Sequence, residues 1–520
     1  MSSQTTEKIQ HVLVVGGGAA GWLTACHLAK KLKPGTAGGV KVTLLESPDI
    51  PIIGVGESTV PAIRRSLSYL GISETDLVRH CEATFKQSIK FVDWVHNPVA
   101  GQSSYYHHLF DYPDAFNFDL TPYWLAGTQA QSYADALTIQ GKVCDAGLGP
   151  KQITHAEFAG LTNYAYHLDA TQFAALLAKH GTEKLGVSRL LANVTDVQLT
   201  PAGGIAAVST DSCGAICADL YVDCTGSGSL LLGQALNVPF ISRQDVLFAD
   251  HALAFQLPYE SEQSPIPSFT IATAKEAGWI WDIGLSTRRG TGYVYSSSHT
   301  CHEQAEQTFR DYLGPAVAGK DVRRIAMQVG YRQCAWKQNC VAIGLSQGFV
   351  EPLEATGLLV FDATARMLAD QFPASVGAIT GVAKRFNQKV QYSWDKVIDF
   401  IKLHYFLSKR DDSQFWLDNR DPAYAPDSLV EQLAFWQQQL PSHYDFPSRF
   451  EIFNLDNYQY VMYGMNFQPE ASALSHQLTD PNQAQLYFNR MQQQQQHALA
   501  VLPTHRALIE KIKQFGLQKV

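Results

Sequence analysis

The stretch His11-Val12-Leu13-Val14-Val15-Gly16-Gly17-Gly18-Ala19-Ala20-Gly21 decides the fold class of this chain. Val12 to Val15 is a short apolar run of the kind that forms a buried strand, and glycines follow it at once. Trp22, Ala25, Leu28, Ala29 and Leu32 then recur at helical spacing. Val40 to Glu46 is a second apolar strand ending in an acid. Strand, helix and strand in this order predict a βαβ unit and an α/β fold. Gly16, Gly18 and Gly21 fit G-x-G-x-x-G. The first glycine permits the tight turn, the second lets backbone approach a pyrophosphate, and the third lets helix pack on strand. The helix start at Ala19 and Ala20 offers free N–H groups to phosphate, and Glu46 offers a carboxylate to a ribose. A chance glycine turn would not bring the second strand and its acid with it.

Outward from this unit, the middle of the chain reads as mixed α/β, with strand-like segments around 192–198, 219–223 and 252–256. From Leu358 the pattern changes to long helices, Leu358 to Gln371 and Ala383 to Leu407, then a loop-rich stretch with Pro422, Pro426, Pro441 and Pro447. The glutamine run Gln492 to Gln496 reads as a solvated helix face. We therefore expect residues 1–380 to form a dinucleotide-binding α/β domain with a substrate-facing mixed sheet. Residues 381–520 would form a mainly helical module that completes the pocket.

With 46% hydrophobic residues over 520 positions, the chain has ample material for a large core. Lys plus Arg is 40 against 48 Asp plus Glu, a net charge of −8 with no basic run, which argues against nucleic acid as a partner. Nine scattered cysteines without a CxxC pair argue against a zinc site or a disulfide framework, and predict reduced, mostly buried thiols. The polar start MSSQTTEKIQ lacks a signal-peptide core, and no apolar stretch reaches the roughly 18 residues of a membrane span. The expectation is a cytoplasmic protein with no membrane association and no metal.

The fingerprint alone does not separate FAD from NAD. Val222-Asp223-Cys224-Thr225-Gly226 is a buried strand running into Thr-Gly, a pattern common in FAD-dependent monooxygenases. Cys340-Val341-Ala342-Ile343-Gly344 is similar to their second flavin-contacting strand. No second G-x-G-x-x-G is present to bind NADPH, so reduced flavin would have to come from a separate flavin reductase.

Further segments, in order, resemble the flavin-dependent tryptophan halogenases. Gly54-Val55-Gly56-Glu57-Ser58-Thr59-Val60-Pro61 resembles that family's flavin-contacting loop. Phe85-Lys86-Gln87-Ser88-Ile89-Lys90-Phe91 resembles the segment bearing its essential lysine. Gly278-Trp279-Ile280-Trp281-Asp282-Ile283-Gly284 is similar to its WxWxIP signature, with Gly284 where the tryptophan-specific members have proline. Phe349-Val350-Glu351-Pro352-Leu353-Glu354-Ala355-Thr356-Gly357 resembles its halide and flavin loop, and His404-Tyr405-Phe406 with Arg410-Asp411-Asp412 a further stretch.

The resemblance implies an enzyme of monooxygenase-like fold that uses reduced FAD, dioxygen and chloride or bromide to make hypohalous acid, and with it halogenates an aromatic ring. It implies FAD contacts at Gly54, Gly56, Glu57, Ser58, Thr225, Gly226, Gly344, Ala355 and Leu358. Thr356 and Gly357, at the start of a helix, would hold the halide through backbone N–H groups; the plainer alternative is an N-cap by Thr356. Lys86 would hydrogen-bond hypohalous acid or capture it as a haloamine. Lys90, read as one helical turn further on, would be a snorkelling or structural lysine. Glu354 would stabilise the charge that develops on the ring or polarise the oxidant together with Lys86, the alternative being a structural ion pair with that lysine. Trp279 and Trp281, at i and i+2, face one side of a strand and would keep substrate from the flavin. His108 and Phe110 would sandwich the ring, with Phe453 (where the best-known members carry tryptophan) and Asn457 on the other wall. No groups that would grip an amino acid's carboxylate and ammonium are identifiable, which leans towards indole or an indole derivative over tryptophan. The resemblance leaves room for a homodimer. A competing function is an FAD monooxygenase hydroxylating an aromatic, which would share the fold but have no use for Lys86, the tryptophan pair or a halide loop.

Overall fold

The βαβ unit forms where its apolar periodicity places it: strand His11–Val15, helix Ala19–Leu32 and strand Lys41–Glu46. The structure, a computed structural model, describes residues 7–51, 57–102, 104–113, 117–448 and 451–519. Strand His11–Val15 is central in a six-stranded sheet. It pairs in parallel with Lys41–Glu46 on one side and Leu220–Asp223 on the other. Cys340–Ala342 and Ser188–Leu191 extend the sheet in parallel, and Trp336–Lys337 closes one edge antiparallel. Parallel strands covered by helices bury both faces, which is why Val12, Val14, Leu13 and Val15 are all buried.

A seven-stranded sheet carries the second half of the site. It runs Arg323–Ala326, His251–Pro258, Arg288–Tyr295, Gly278–Gly284, Thr270–Lys275, Ser88–Val92 and Tyr105–Leu109. It is antiparallel except where Thr270–Lys275 meets Ser88–Val92, so the expectation of a mixed sheet is met. A separate three-stranded sheet pairs Glu57–Ser58 and Thr84–Lys86 with a central strand, Ala165–Leu168. Lys86 and Lys90 thus stand on two successive strands separated by Gln87, not one helical turn apart. Thr84–Lys86 pairs as an edge strand with Ala165–Leu168, and Ser88–Val92 pairs on both sides, with Thr270–Lys275 and Tyr105–Leu109; that pairing overrides the brief helical spacing.

The later helices begin slightly earlier than their periodicity suggests: Thr356–Asp370 and Ile379–Phe406. The proline-bearing stretch is less irregular than expected, because Pro426 leads directly into helix Asp427–Gln438. The glutamine run lies on helix Pro481–Val501 and is not uniformly solvated. Gln495 is buried and its amide donates to the carbonyls of Asp135 and Thr138. One hydrophobic core extends from Ile9 to Leu517, through both halves of the chain. The cysteines are free thiols. Cys26, Cys81, Cys144 and Cys340 are buried, but Cys213, Cys217 and Cys301 are exposed, so fewer are buried than expected. No helix among the described residues is long and apolar enough to cross a membrane.

Candidate active site

The glycine loop is shaped by contacts that forbid side chains. Gly16 has φ +115°, and a Cβ there would lie 2.1 Å from the carbonyl oxygen of Cys224. A Cβ on Gly21 would meet the Gly16 carbonyl at 1.9 Å. Gly18 differs: nothing lies within 4 Å of where its Cβ would be. It caps helix Ala19–Leu32 without any side-chain hydrogen bond, leaving the first N–H groups free to face a ligand. Glu46 is already engaged. It pairs with Arg189, and its Oε2 accepts from the Trp22 indole at 3.1 Å. Beside it, Thr225 is locked by Asp223, whose buried carboxylate accepts from Thr225, Ser229, Leu231 and Leu232. Gly226 and Gly344 both have positive φ, and Gly344 packs against Ala20.

These features open on one cavity of about 1020 Å³. Gly16, Gly18, Ala19, Ala20, Glu46, Glu57, Ser58, Thr225, Gly226, Ala355 and Leu358 line it, and so do Lys86, Gly357, Trp279 and Trp281. A cavity of this size, running from an uncapped glycine loop to a catalytic lysine candidate, fits a bound FAD. Gly54 and Gly56 lie outside the described residues. Burial raises the Glu57 carboxyl to about 7, so this wall of the cavity bears a group that titrates near neutrality.

Helix Thr356–Asp370 points its start into the same cavity. Its N-cap is Ala355, in the left-handed region with φ 55° and no side-chain cap, so the N-cap alternative for Thr356 does not hold. Thr356 is the first helical residue and its hydroxyl turns back to the Glu351 carbonyl at 3.4 Å. The amides of the first turn remain available to an anion. Trp279 and Trp281 lie on one strand with ring centroids 6.4 Å apart. The Trp281 ring fits only because residue 292 on the next strand is glycine; a Cβ there would approach the ring to 1.9 Å.

Lys86 is fully buried, and its Nζ has no hydrogen-bond partner among the described residues. It sits 5.2 Å above the Phe110 ring centroid. Burial brings its pKa down to about 7, against the pull of the Glu354 charge. Lys90 contrasts with it: its ammonium pairs with Asp145 at 2.8 Å and lies over the Tyr105 ring. Glu354 is not paired with Lys86. It takes His108 Nδ1 at 2.9 Å and His404 Nε2 at 2.8 Å. Burial pushes its pKa up, but the two histidines outweigh that and hold it at about 2. Asn457 reaches His108 from helix Leu455–Gly464, its Nδ2 3.0 Å from Nε2. Phe453 lies stacked on Phe400 at 4.0 Å and is buried.

The structure therefore brings two groups of expected residues together: most of the expected cofactor positions with Gly357, Trp279, Trp281 and Lys86 around one cavity, and His108, Glu354 and Asn457 in one hydrogen-bonded chain; Gly21, Gly344 and Thr356 are not part of the cavity wall. Four residues in the neighbourhood were given no role by sequence reasoning. Arg189 neutralises Glu46. Glu351 accepts from the Trp279 indole and the Tyr405 hydroxyl at 2.8 Å each, and burial raises its carboxyl to about 7. His404 binds Glu354. His505 accepts the backbone N–H of Phe85 at 2.9 Å and so fixes the lysine strand from the far end of the chain. Glu351 and His404 fall inside the family-like segments; Arg189 and His505 carry no local signal.

The tryptophan halogenase family model matches residues 11–481. The crystal structure of a tryptophan halogenase from Shewanella frigidimarina NCIMB 400 superposes with a TM-score of 0.94 at 41% identity, covering 99% of each chain. Tryptophan 6-halogenase SttH of Streptomyces toxytricini is 38% identical over 457 residues, 84% of this chain and 85% of its own. BrvH, a flavin-dependent halogenase from Brevundimonas sp. BAL3, is 31% identical with a TM-score of 0.85, covering 97% of this chain and 99% of its own. Fold and relatives define a flavin-dependent halogenase, an enzyme. The chain belongs to the tryptophan halogenase family.

Proposed function

We propose that this enzyme halogenates an indole ring through Lys86 and Glu354, with reduced FAD delivered by a separate flavin reductase. The observation that carries the reading is the cavity that joins the glycine loop, the uncapped start of helix Thr356–Asp370 and the Lys86 Nζ, which has no hydrogen-bond partner among the described residues. Reduced FAD, when bound, would supply the two electrons that bring dioxygen to the peroxide level, and halide would give up two more to become hypohalous acid, with water as the other product. Gly16, Gly18, Ala19 and Ala20 hold its pyrophosphate, Glu46 its ribose, and Ser58, Thr225, Gly226, Ala355 and Leu358 the remainder. Thr356 and Gly357 hold chloride or bromide by their N–H groups. Trp279 and Trp281 keep the aromatic substrate from the cofactor. Lys86 positions the oxidant, and with a pKa near 7 it does so as ammonium or amine depending on pH. Glu354, ionised, faces the cation that forms when the ring is attacked and takes its proton.

In this reading residues 1–380 make and guide the oxidant, and 381–520 complete the substrate wall through Asn457, Phe453 and His404. Our preferred substrate is indole or an indole derivative, with tryptophan, which the names of the Shewanella and Streptomyces relatives carry, as the second reading. The sequence offers no identifiable grip for an amino acid's carboxylate and ammonium and has Gly284 where tryptophan-specific members have proline, and both support the first.

The test is incubation with FAD, flavin reductase, NADH, bromide and either indole or tryptophan, followed by mass spectrometry. A bromine isotope doublet that is lost in Lys86→Ala is the expected result. An oxygenated product formed without halide would sink the reading. A doublet on tryptophan alone would replace indole as the substrate.

A further inference from the structure

The hydrogen bonds around Glu354 determine where the protons sit. Asn457 Oδ1 accepts the Asn454 N–H at 2.9 Å, which orients its amide so that Nδ2 donates to His108 Nε2. His108 Nε2 is therefore unprotonated. The ring's proton is on Nδ1 and goes to Glu354, 2.9 Å from both oxygens. His404 is placed differently. Its Nδ1 lies 2.9 Å from the Phe400 carbonyl, which can only accept, and its Nε2 lies 2.8 Å from Glu354 Oε1. An imidazole between two acceptors must donate on both sides.

From this geometry we propose that His404 is a resident imidazolium, a positioning residue that pairs with Glu354 and thereby weakens the only counter-charge that acts on Lys86 among the described residues. Burial then outweighs the weakened pull of Glu354 on Lys86, and the amine is free to lose its proton near neutrality. His404 thus sets the charge of a lysine it does not touch. The groups that face this pair come from several elements: Glu351 from the loop before helix Thr356–Asp370, Tyr106 and His108 from strand Tyr105–Leu109, Lys86 from its own strand, and Lys402 from the helix that bears His404. The rings of Phe91, Trp94 and Phe400 pack around the imidazole and exclude water. The proposal rests on the reading of Lys86 and Glu354 as catalytic groups, but its test needs no turnover.

Uniformly 15N-histidine-labelled full-length enzyme at pH 8 is compared with Glu354→Gln and His404→Gln. The expected result is one imidazolium, with both nitrogens protonated, that is missing from both variants. If the resonances lost in His404→Gln belong to a neutral ring, the proposal is overturned. Should His404→Gln not fold, the wild-type and Glu354→Gln spectra decide, because an imidazolium that survives removal of the carboxylate is not the partner of Glu354. In parallel the Lys86 Cε resonance, identified by its absence from Lys86→Met, is titrated in 13C-lysine-labelled protein. Its midpoint should rise by about one pH unit in His404→Gln, where glutamine donates to Glu354 without charge. An unchanged or lower midpoint would overturn the role given to His404. Halogenase activity that proved independent of Lys86 would instead remove the catalytic reading and leave both titrations standing.

Discussion

Replacing Lys86 by methionine should make this protein more stable while removing its halogenation activity. The side chains are similar in length, so the change removes the charge with little change in packing. The Lys86 pKa falls from 10.5 in an unfolded chain to about 7 in the folded one. At about 1.4 kcal/mol per pKa unit, a fully buried ammonium then costs the folded state about 5 kcal/mol below pH 7. Between pH 7 and 10.5 the unfolded chain binds the extra proton and the folded one does not, so this penalty shrinks as pH rises. At pH 8.5 about 3 kcal/mol should remain, and at pH 10 under about 1 kcal/mol. Urea unfolding of cofactor-free wild type and Lys86→Met at pH 6, 8.5 and 10 measures the difference, and groups that titrate alike in both proteins cancel. A stability gain that is flat with pH would refute the reasoning, since it would come from packing and not from a buried charge. A variant that retained halogenation would refute the role of the lysine.

Glu354→Gln keeps the shape and loses the charge; kcat should fall by about 10²-fold or more with KM little changed, measured under saturating halide. Gly16→Ala and Gly18→Ala should separate folding from binding. The first puts a Cβ 2.1 Å from the Cys224 carbonyl and should lower Tm, whereas the second meets nothing within 4 Å and should weaken FAD binding in a fluorescence titration without lowering Tm. Wild-type FAD affinity in Gly18→Ala would remove the loop from the cofactor site. Gly292→Ala would put a Cβ 1.9 Å from the Trp281 ring and 2.4 Å from the Leu253 carbonyl oxygen, so it should lower Tm as well as displace the ring and raise the ratio of NADH consumed to product formed; a lowered Tm with an unchanged ratio would mean the ring is not a barrier.

The dinucleotide-binding half was legible because it is local. His11–Val15, the glycines and Glu46 lie in a short span whose periodicity and φ requirements act on neighbours in the chain. The segments around Lys86, Trp279 and Glu354 could be recognised for the same reason, each being short and contiguous. What the segments could not reveal was pairing. Glu354 and Lys86 suggest an ion pair, yet the carboxylate turns to His108, far back in the chain, and to His404, far ahead of it. The helical spacing of Lys86 and Lys90 was likewise overruled by strand partners distant in sequence. His505 shows the same thing more strongly, holding the Phe85 N–H across most of the chain's length. Sequence by itself determined the fold class, the glycine loop and the residue types that carry the chemistry, because local sterics and hydrophobic period suffice for those. Only the tertiary structure decided which of those groups is charged: burial and partner choice set the protonation of Lys86 and Glu354, and both depend on residues brought together from separate elements.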